Sequence, residues 1–181
     1  MKEKAPIQNY YTLRNTIDDA AATVAKGHQP HMQCRKGCDL YCIAIRVFPV
    51  EFYAIMSEQE EFMGKVELPK SENEFTCQFL VNHECSIYRS RPIICRTHGL
   101  PLLYMNSEGT AWELSHCELN FNEKPVEDFH TENTLVMDTF NSRLFQINQT
   151  FVSENEHLGY SKTDRIPLAE LLNQHEISRL S

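Results

Sequence analysis

The chain of 181 residues has no long apolar run, no internal repeat, no low-complexity tract and only 6 glycines. Spanning a bilayer takes roughly 18 to 20 apolar residues. The best candidate stretch here, Ile43 to Phe52, is short and is interrupted by Arg46, Pro49 and Glu51. Met1 to Asn9 holds no apolar signal-peptide core, so a cytoplasmic, reducing address is expected, which disfavours structural disulfides. Basic residues are also scarce: 17 Lys and Arg stand against 25 Asp and Glu, for a formal charge of -8. That balance argues against phosphate-backbone binding and supplies no polybasic patch, so neither nucleic acid nor membrane is an expected partner. Cys-x-x-Cys occurs nowhere, which removes a thioredoxin-like exchanger.

Cysteine is what the chain has in quantity. Of its 7 cysteines, Cys34, Cys38 and Cys42 recur every fourth residue, Cys77, Cys85 and Cys95 follow in an Arg-rich stretch, and Cys117 trails behind His116. A cysteine taken alone is more often a small buried hydrophobe than a ligand. An odd count, however, leaves one thiol over in any disulfide scheme, whereas a metal accepts odd sets completed by His or water. The grouping therefore points to a metal site with Cys34, Cys38, Cys42, Cys77, Cys85, Cys95 and Cys117 as the candidate ligands.

A hydrophobic content of 41% at this length is that of a single soluble domain, 1–181, able to bury a core without help from a metal. Apolar residues three or four apart predict a helix over Ile7 to Lys26, stopped by Gly27 and Pro30. Pro49 suits the first turn of a second helix reaching about Met63, with Phe52, Ile55, Met56, Phe62 and Met63 inward and Glu58, Glu60 and Glu61 in water. Phe75 to Val81 and Cys85 to Tyr88 read as a hairpin around Asn82-His83-Glu84, and Leu102 to Met105 with Thr110 to Leu114 as another. Pro125 to about Glu156 reads as helix ended by Gly159, and Pro167 to His175 as a final turn or short helix. The expected fold is mainly α (α+β): a helical domain with a small antiparallel β insert around a cysteine-ligated metal site, its cysteine core at about 34–117 and helical flanks at 1–33 and 118–181.

Distances constrain the first group. In one continuous helix Cys34 and Cys42 would stand about 12 Å apart along the axis. Two thiolates on one zinc ion, each at about 2.3 Å, lie only about 4 Å apart. The chain must therefore turn between them, or its ends must serve different centres. Gly37 is placed for such a turn, while Cys38 and Cys42 could still be neighbours on a first helical turn.

The second group carries a recognisable pattern: Cys77-x-Phe79-Leu80, then Cys85-x-Ile87-Tyr88-x-x-Arg91-Pro92-x-x-Cys95-Arg96. Following a Cys34-x-x-Gly37-Cys38 segment, it resembles the YkgJ-type cysteine-cluster family of zinc- or iron-chelating domains. The likeness covers roughly Cys34 to Cys117 and includes Glu51. The family's first group usually ends in a cysteine pair, and here Tyr41 stands in the place of the first of that pair. Eight thiols would suit two four-thiolate centres. With seven, Tyr41, His98 or His116 could complete a second site, or a water could; each histidine also fits an ordinary hydrogen-bonded role.

The resemblance implies chelation of zinc or iron, with an iron-sulfur cluster as one form of the latter; the spacing matches no common ferredoxin pattern. A four-thiolate zinc centre carries a formal charge of -2, which Arg91 and Arg96 could offset from outside the ligand shell, by N–H bonds to sulfur or by pairing with carboxylates. Two other readings compete. One is an iron-sulfur redox or methylation-type enzyme, because a related cysteine cluster occurs in flagellin lysine methylase, although no glycine-rich methyl-donor site is present here. The other is a protein-interaction module with a structural zinc, using Trp112 and the face from Phe140 to Phe151. Cys95 with His98, or Cys117 with His116, supplies only the residue types of a thiol protease. No substrate is named by the sequence, and an enzymatic role stays open.

Overall fold

Apolar side chains on one stripe make the N-terminal segment helical. Tyr10, Leu13 and Ile17 are fully buried, and Ala21 and Val24 extend the stripe. A computed structural model describes residues 5–62 and 75–173, and there this helix, α1, spans Ala5–His28. Gly27 does not stop it. The helix runs one residue further and leaves through a 3₁₀ turn, Gln29–His31, that contains Pro30.

Among the described residues the protein is mixed α/β, with small sheets. Strand β1, Arg46–Val47, leads into helix α2, Pro49–Phe62. Short strands β2, Leu80–Val81, and β3, Glu84–Cys85, precede α3, Ile93–Thr97. Then come β4, Leu102–Met105; β5, Trp112–Ser115; β6, Leu135–Val136; α4, Met137–Glu154; and β7, Ile166–Pro167. A last helix, α5, begins at 170.

The chain divides into two compact units, each assembled from separate segments. The first takes the chain up to Tyr10, Lys36–Pro92 and the chain from Ile147; the second takes Tyr11–Arg35 and Ile93–Gln146.

In the first unit, β1 and β7 pair antiparallel, as do β2 and β3. Their core joins Val47, Phe52, Ile55, Phe79, Ile87, Ile166, Leu168 and Leu171, with Cys77 and Cys85 packed against it. Burial of each large aliphatic or aromatic side chain there is worth about 1.5 to 3 kcal/mol. Pro49 opens α2 as predicted, and Glu51, buried, reaches back to the Phe48 N–H at 3.4 Å, half of a capping box. Phe52 and Ile55 face the core as expected, while Met63 and the side chains of Glu60, Glu61 and Phe62 lie outside the described residues.

The second unit carries a three-stranded sheet, β5-β4-β6, in which β4 pairs antiparallel with β5 and parallel with β6. Its core includes Ala21, Val24, Leu100, Leu135 and Met137.

Four expectations need correction. The Pro125 to Glu156 segment is not one helix: Val126–Asp128 is a 3₁₀ turn, Leu135–Val136 is strand, and helix begins only at Met137. Pairing with Leu102 and Leu103, together with the Leu135 N–H donated to the Pro101 carbonyl, overrides local helical spacing. The first hairpin is shorter than read. Its turn is Asn82-His83 alone, both at positive φ of 49° and 65°, the left-handed pair a two-residue turn demands, and Ser86 to Tyr88 are turn. Cys38 and Cys42 do not share a helical turn, since a reverse turn closed by Cys42 N–H to Asp39 O at 2.8 Å occupies that stretch. Finally, Ile166–Pro167 is strand, pulled into a sheet by Arg46 and Val47, and His175 falls outside the described residues.

Leu144, Ile147 and Phe151 on α4 are buried, so the face proposed for a partner belongs to the core, while Trp112 is about half exposed. No helix among the described residues is long and apolar enough to cross a membrane. Asn148, 0% exposed on α4, accepts the Val50 N–H at 3.2 Å and donates to the Lys162 carbonyl at 3.0 Å. Asn148→Ala removes both partners and is expected to cost about 2 to 3 kcal/mol, read as a lower urea midpoint at unchanged slope. An unshifted midpoint would show that water replaces both bonds.

Candidate metal centre

Sorting the cysteines by unit separates neighbours in sequence. Cys38, Cys42, Cys77 and Cys85 belong to the first unit, and Cys34, Cys95 and Cys117 to the second. None of the seven is joined in a disulfide.

The first set is built by backbone pairing. Gly37, at φ +84°, makes the turn expected of it immediately before Cys38. Beyond the reverse turn at Asp39, Ile43 and Thr76 form an antiparallel bridge, flanked by Ala44 N–H to Phe75 O at 2.9 Å and Cys77 N–H to Cys42 O at 3.0 Å. In that register Cys42 and Cys77 stand directly opposite, so their side chains leave the same face. Two exposed ion pairs tie the Lys36 to Asp39 loop to the hairpin turn: Lys36 Nζ to Glu84 at 2.9 Å, and His83 Nδ1 to Asp39 at 2.7 Å.

Cys77-Gln78-Phe79-Leu80 and Cys85-Ser86-Ile87-Tyr88 fold alike. Each cysteine carbonyl accepts an N–H three residues on, from Leu80 at 3.1 Å and from Tyr88 at 3.2 Å. The third residue of each, Phe79 or Ile87, is buried at 1% and 3% exposure. Anchored in that way, the Phe79 and Leu80 amides act to lower the Cys77 thiol's pKa, and the Ile87 amide that of Cys85.

Electrostatics follow from this placement. Burial pushes the Cys77 thiol above its ordinary pKa, while its two amide donors pull the other way. Burial likewise pushes Cys85 up; the Ile87 amide lowers it, Cys77 raises it, and Arg91 lowers it. Cys42 is raised by burial first and then by Cys77, Cys85, Asp39 and Cys38 acting as like charges. Its thiol thus lies in the field of every other thiol of its unit. Arg91, one of the two expected charge partners, stacks 3.7 Å over the Tyr88 ring and donates to the Tyr88 carbonyl at 3.2 Å.

The second set centres on Asn120, which the sequence did not flag. Its side chain is 1% exposed and fully used: Nδ2 donates to Cys34 Sγ at 3.2 Å and to Gly99 O at 2.7 Å, and Oδ1 accepts the Gln33 N–H at 2.8 Å. The Asn120 N–H closes a turn on the Cys117 carbonyl at 3.0 Å. Gly99 sits at φ +89°, and a Cβ there would meet Cys34 Sγ at 3.1 Å. One amide side chain therefore gathers the Cys34 sulfur, the residue after His98 and the Cys117 turn.

His98 is exposed, and partial desolvation pulls its pKa down, toward the neutral imidazole that ligates metals. His116 donates from Nδ1 to the Cys117 carbonyl at 3.0 Å and packs against Phe121 and Phe129, leaving Nε2 as the nitrogen with a lone pair. Cys95 is exposed on α3, and Arg96 pairs with Asp18 on α1 at 2.5 Å with only 7% of its side chain exposed. Tyr41 is 37% exposed in the first unit.

Among the described residues no three His, Cys, Asp or Glu side chains are already converged as a metal cage. Backbone pairing sets Cys42 opposite Cys77 and places Cys85 on the neighbouring hairpin. No family model matches the chain, and neither a curated protein nor a solved structure matches it. The likeness to the YkgJ-type family rests on the motif residues alone.

Gly99→Ala places a side chain at positive φ against Cys34 and is expected to cost about 1 to 2 kcal/mol in urea unfolding. A neutral result would mean that the Cys34 segment is held elsewhere than on Asn120 and Gly99.

Proposed function

We propose that this chain is a thiolate metal-binding protein that takes zinc or iron. Cys38, Cys42, Cys77 and Cys85 make one four-thiolate set, and Cys34, Cys95 and Cys117 contribute to a second set needing one more donor. A single observation carries the reading: the Ile43–Thr76 bridge sets Cys42 opposite Cys77 on one face, where burial first and then Cys77, Cys85, Asp39 and Cys38 push the Cys42 thiol up. Like charges gathered beside buried surface raise thiol pKa values, and a divalent cation reverses the sign of that repulsion. Amide donors to sulfur favour the thiolate, the form that binds soft and borderline metals.

The donor set suits zinc and iron alike. A four-thiolate zinc site holds a formal charge of -2, and Arg91, which already lowers the Cys85 pKa, is placed to reduce it. Arg96 serves differently, through the Asp18 carboxylate. In the second set, His98 supplies a neutral nitrogen donor type, and a water or an exogenous ligand could equally fill the fourth position. An open position of that kind is what a metal-transfer or catalytic role requires; a closed four-thiolate site serves structure, storage or electron transfer.

Elemental analysis of protein purified without oxygen, with its visible spectrum, tests the reading. Zinc in a colourless sample, or iron with charge-transfer absorption, is expected, and a metal-free sample that takes up neither ion would defeat it. Cys38→Ser and Cys85→Ser are each expected to lower bound metal by about one equivalent, and full retention in both would remove them from the ligand set. Arg96→Ala is expected to lower stability without changing metal content.

A further inference from the structure

Facing cysteines on paired antiparallel segments have a second chemistry open to them. Cys42 and Cys77 continue the Ile43–Thr76 bridge, linked by the Cys77 N–H to Cys42 carbonyl bond at 3.0 Å. Only one of the two bonds of a hydrogen-bonded pair is made, since the Cys42 N–H goes to Asp39 O, but opposed residues of an antiparallel pair stand about 4.5 to 5.5 Å apart at Cα, inside the range a disulfide spans. Both side chains are half-buried, open enough for a small oxidant and sheltered from bulk thiols. The other cysteines of the unit lack this placement: Cys38 follows the Gly37 turn and is exposed, and Cys85 has Leu80 as its register partner.

We infer that Cys42 and Cys77 form an oxidisable pair that closes to an intramolecular disulfide when a peroxide reaches the site. One sulfur attacks hydrogen peroxide, breaking the O–O bond, to give a sulfenic acid and a first water. The second sulfur then displaces the hydroxyl, forming the S–S bond and a second water. Two thiols and one peroxide become one disulfide and two waters; the sulfurs lose two electrons and the peroxide gains them. The regulatory consequence rests on the metal reading above: oxidation removes two of the four first-unit thiolates, so a metal held there leaves as the bond closes.

The full chain, purified without oxygen, is exposed to equimolar hydrogen peroxide, alkylated and digested with trypsin without reduction. Cys42 and Cys77 lie in different tryptic peptides, ending at Arg46 and Arg89, so the bond appears as a linked pair short of two hydrogens. Fragment ions of the parent protein assign it directly. The linked species is expected to persist in Cys38→Ser and Cys85→Ser and to fall at least ten-fold in Cys42→Ser and Cys77→Ser, on the order of a complete loss of the partner thiol. A bond mapped to another pair, or oxidation to sulfinic acid without a link, would overturn the inference. Released zinc or iron, followed with a chromogenic chelator, should rise in step with the link, and metal retained by the linked protein would overturn the regulatory consequence. The two readings fail separately: a link in protein that binds no metal defeats the metal proposal and leaves the pair, whereas metal bound with no link does the reverse.

Discussion

A sulfur taken out of water must be given hydrogen-bond donors if it is to carry charge, and the first unit is organised around that requirement. At Cys77 and Cys85 the same device meets it. Phe79 and Ile87 insert into the core two residues beyond the cysteine, and the amide each carries lowers the pKa of that thiol. The side chain that excludes water also anchors the donor that replaces it. Burial raises the thiol pKa and the amides lower it, so the two effects oppose one another at each sulfur. The C-x-Phe-Leu and C-x-Ile-Tyr repeats are therefore a packing instruction, whatever else they do.

The second unit meets the same requirement with a side chain. Asn120 places one amide hydrogen on Cys34 and another on the Gly99 carbonyl, and spends its oxygen on the Gln33 N–H. A backbone amide under a sulfur is supplied by any residue whose side chain is buried. An Asn in that role admits no substitute: Asp loses the donors and Leu loses all three bonds. The tight approach at Gly99 follows from the same packing, since a Cβ there would press on the sulfur that Asn120 holds. The two thiol sets thus differ in donor count, four against three, and in how rigidly their first sulfur is placed.

Local patterning made much of this legible. The stripe from Tyr10 to Val24, Pro49 at the start of α2 and the two hairpins were all readable, because each is decided by residues within a few positions of one another. The segment after Pro125 was not. Its apolar spacing is helical, yet Leu135 and Val136 gain more from pairing with Leu102 and Leu103 than from a helical turn, a choice set by residues more than thirty positions away. The same holds for the site. Cysteines declare themselves by type, so the candidate set was plain, but its division at Arg35 and Lys36 depends on contacts that spacing does not encode. Asn120 gave no signal, because its partners, Gln33 with Cys34 and Gly99, lie far from it in the chain.

Strand length sets how much the fold can contribute to holding the first site. Strands β2 and β3 are two residues each, and the Cys42 to Cys77 contact extends a single isolated bridge. Pairings so short are not stable by themselves; they persist because Phe79 and Ile87 are locked into the core, with exposed ion pairs at the turn adding little. Such a frame fixes where each cysteine backbone lies and leaves the sulfurs free to change rotamer. On the reading proposed here, a metal would draw in the side chains and cross-link three otherwise weakly joined pieces of chain, the Gly37 turn, the Thr76 bridge and the hairpin. Part of its binding free energy would then appear as local folding stability. A disulfide between Cys42 and Cys77 would join only two of those pieces and leave Cys85 outside the link, so the oxidised and metal-bound forms would differ in which segment of the site is held.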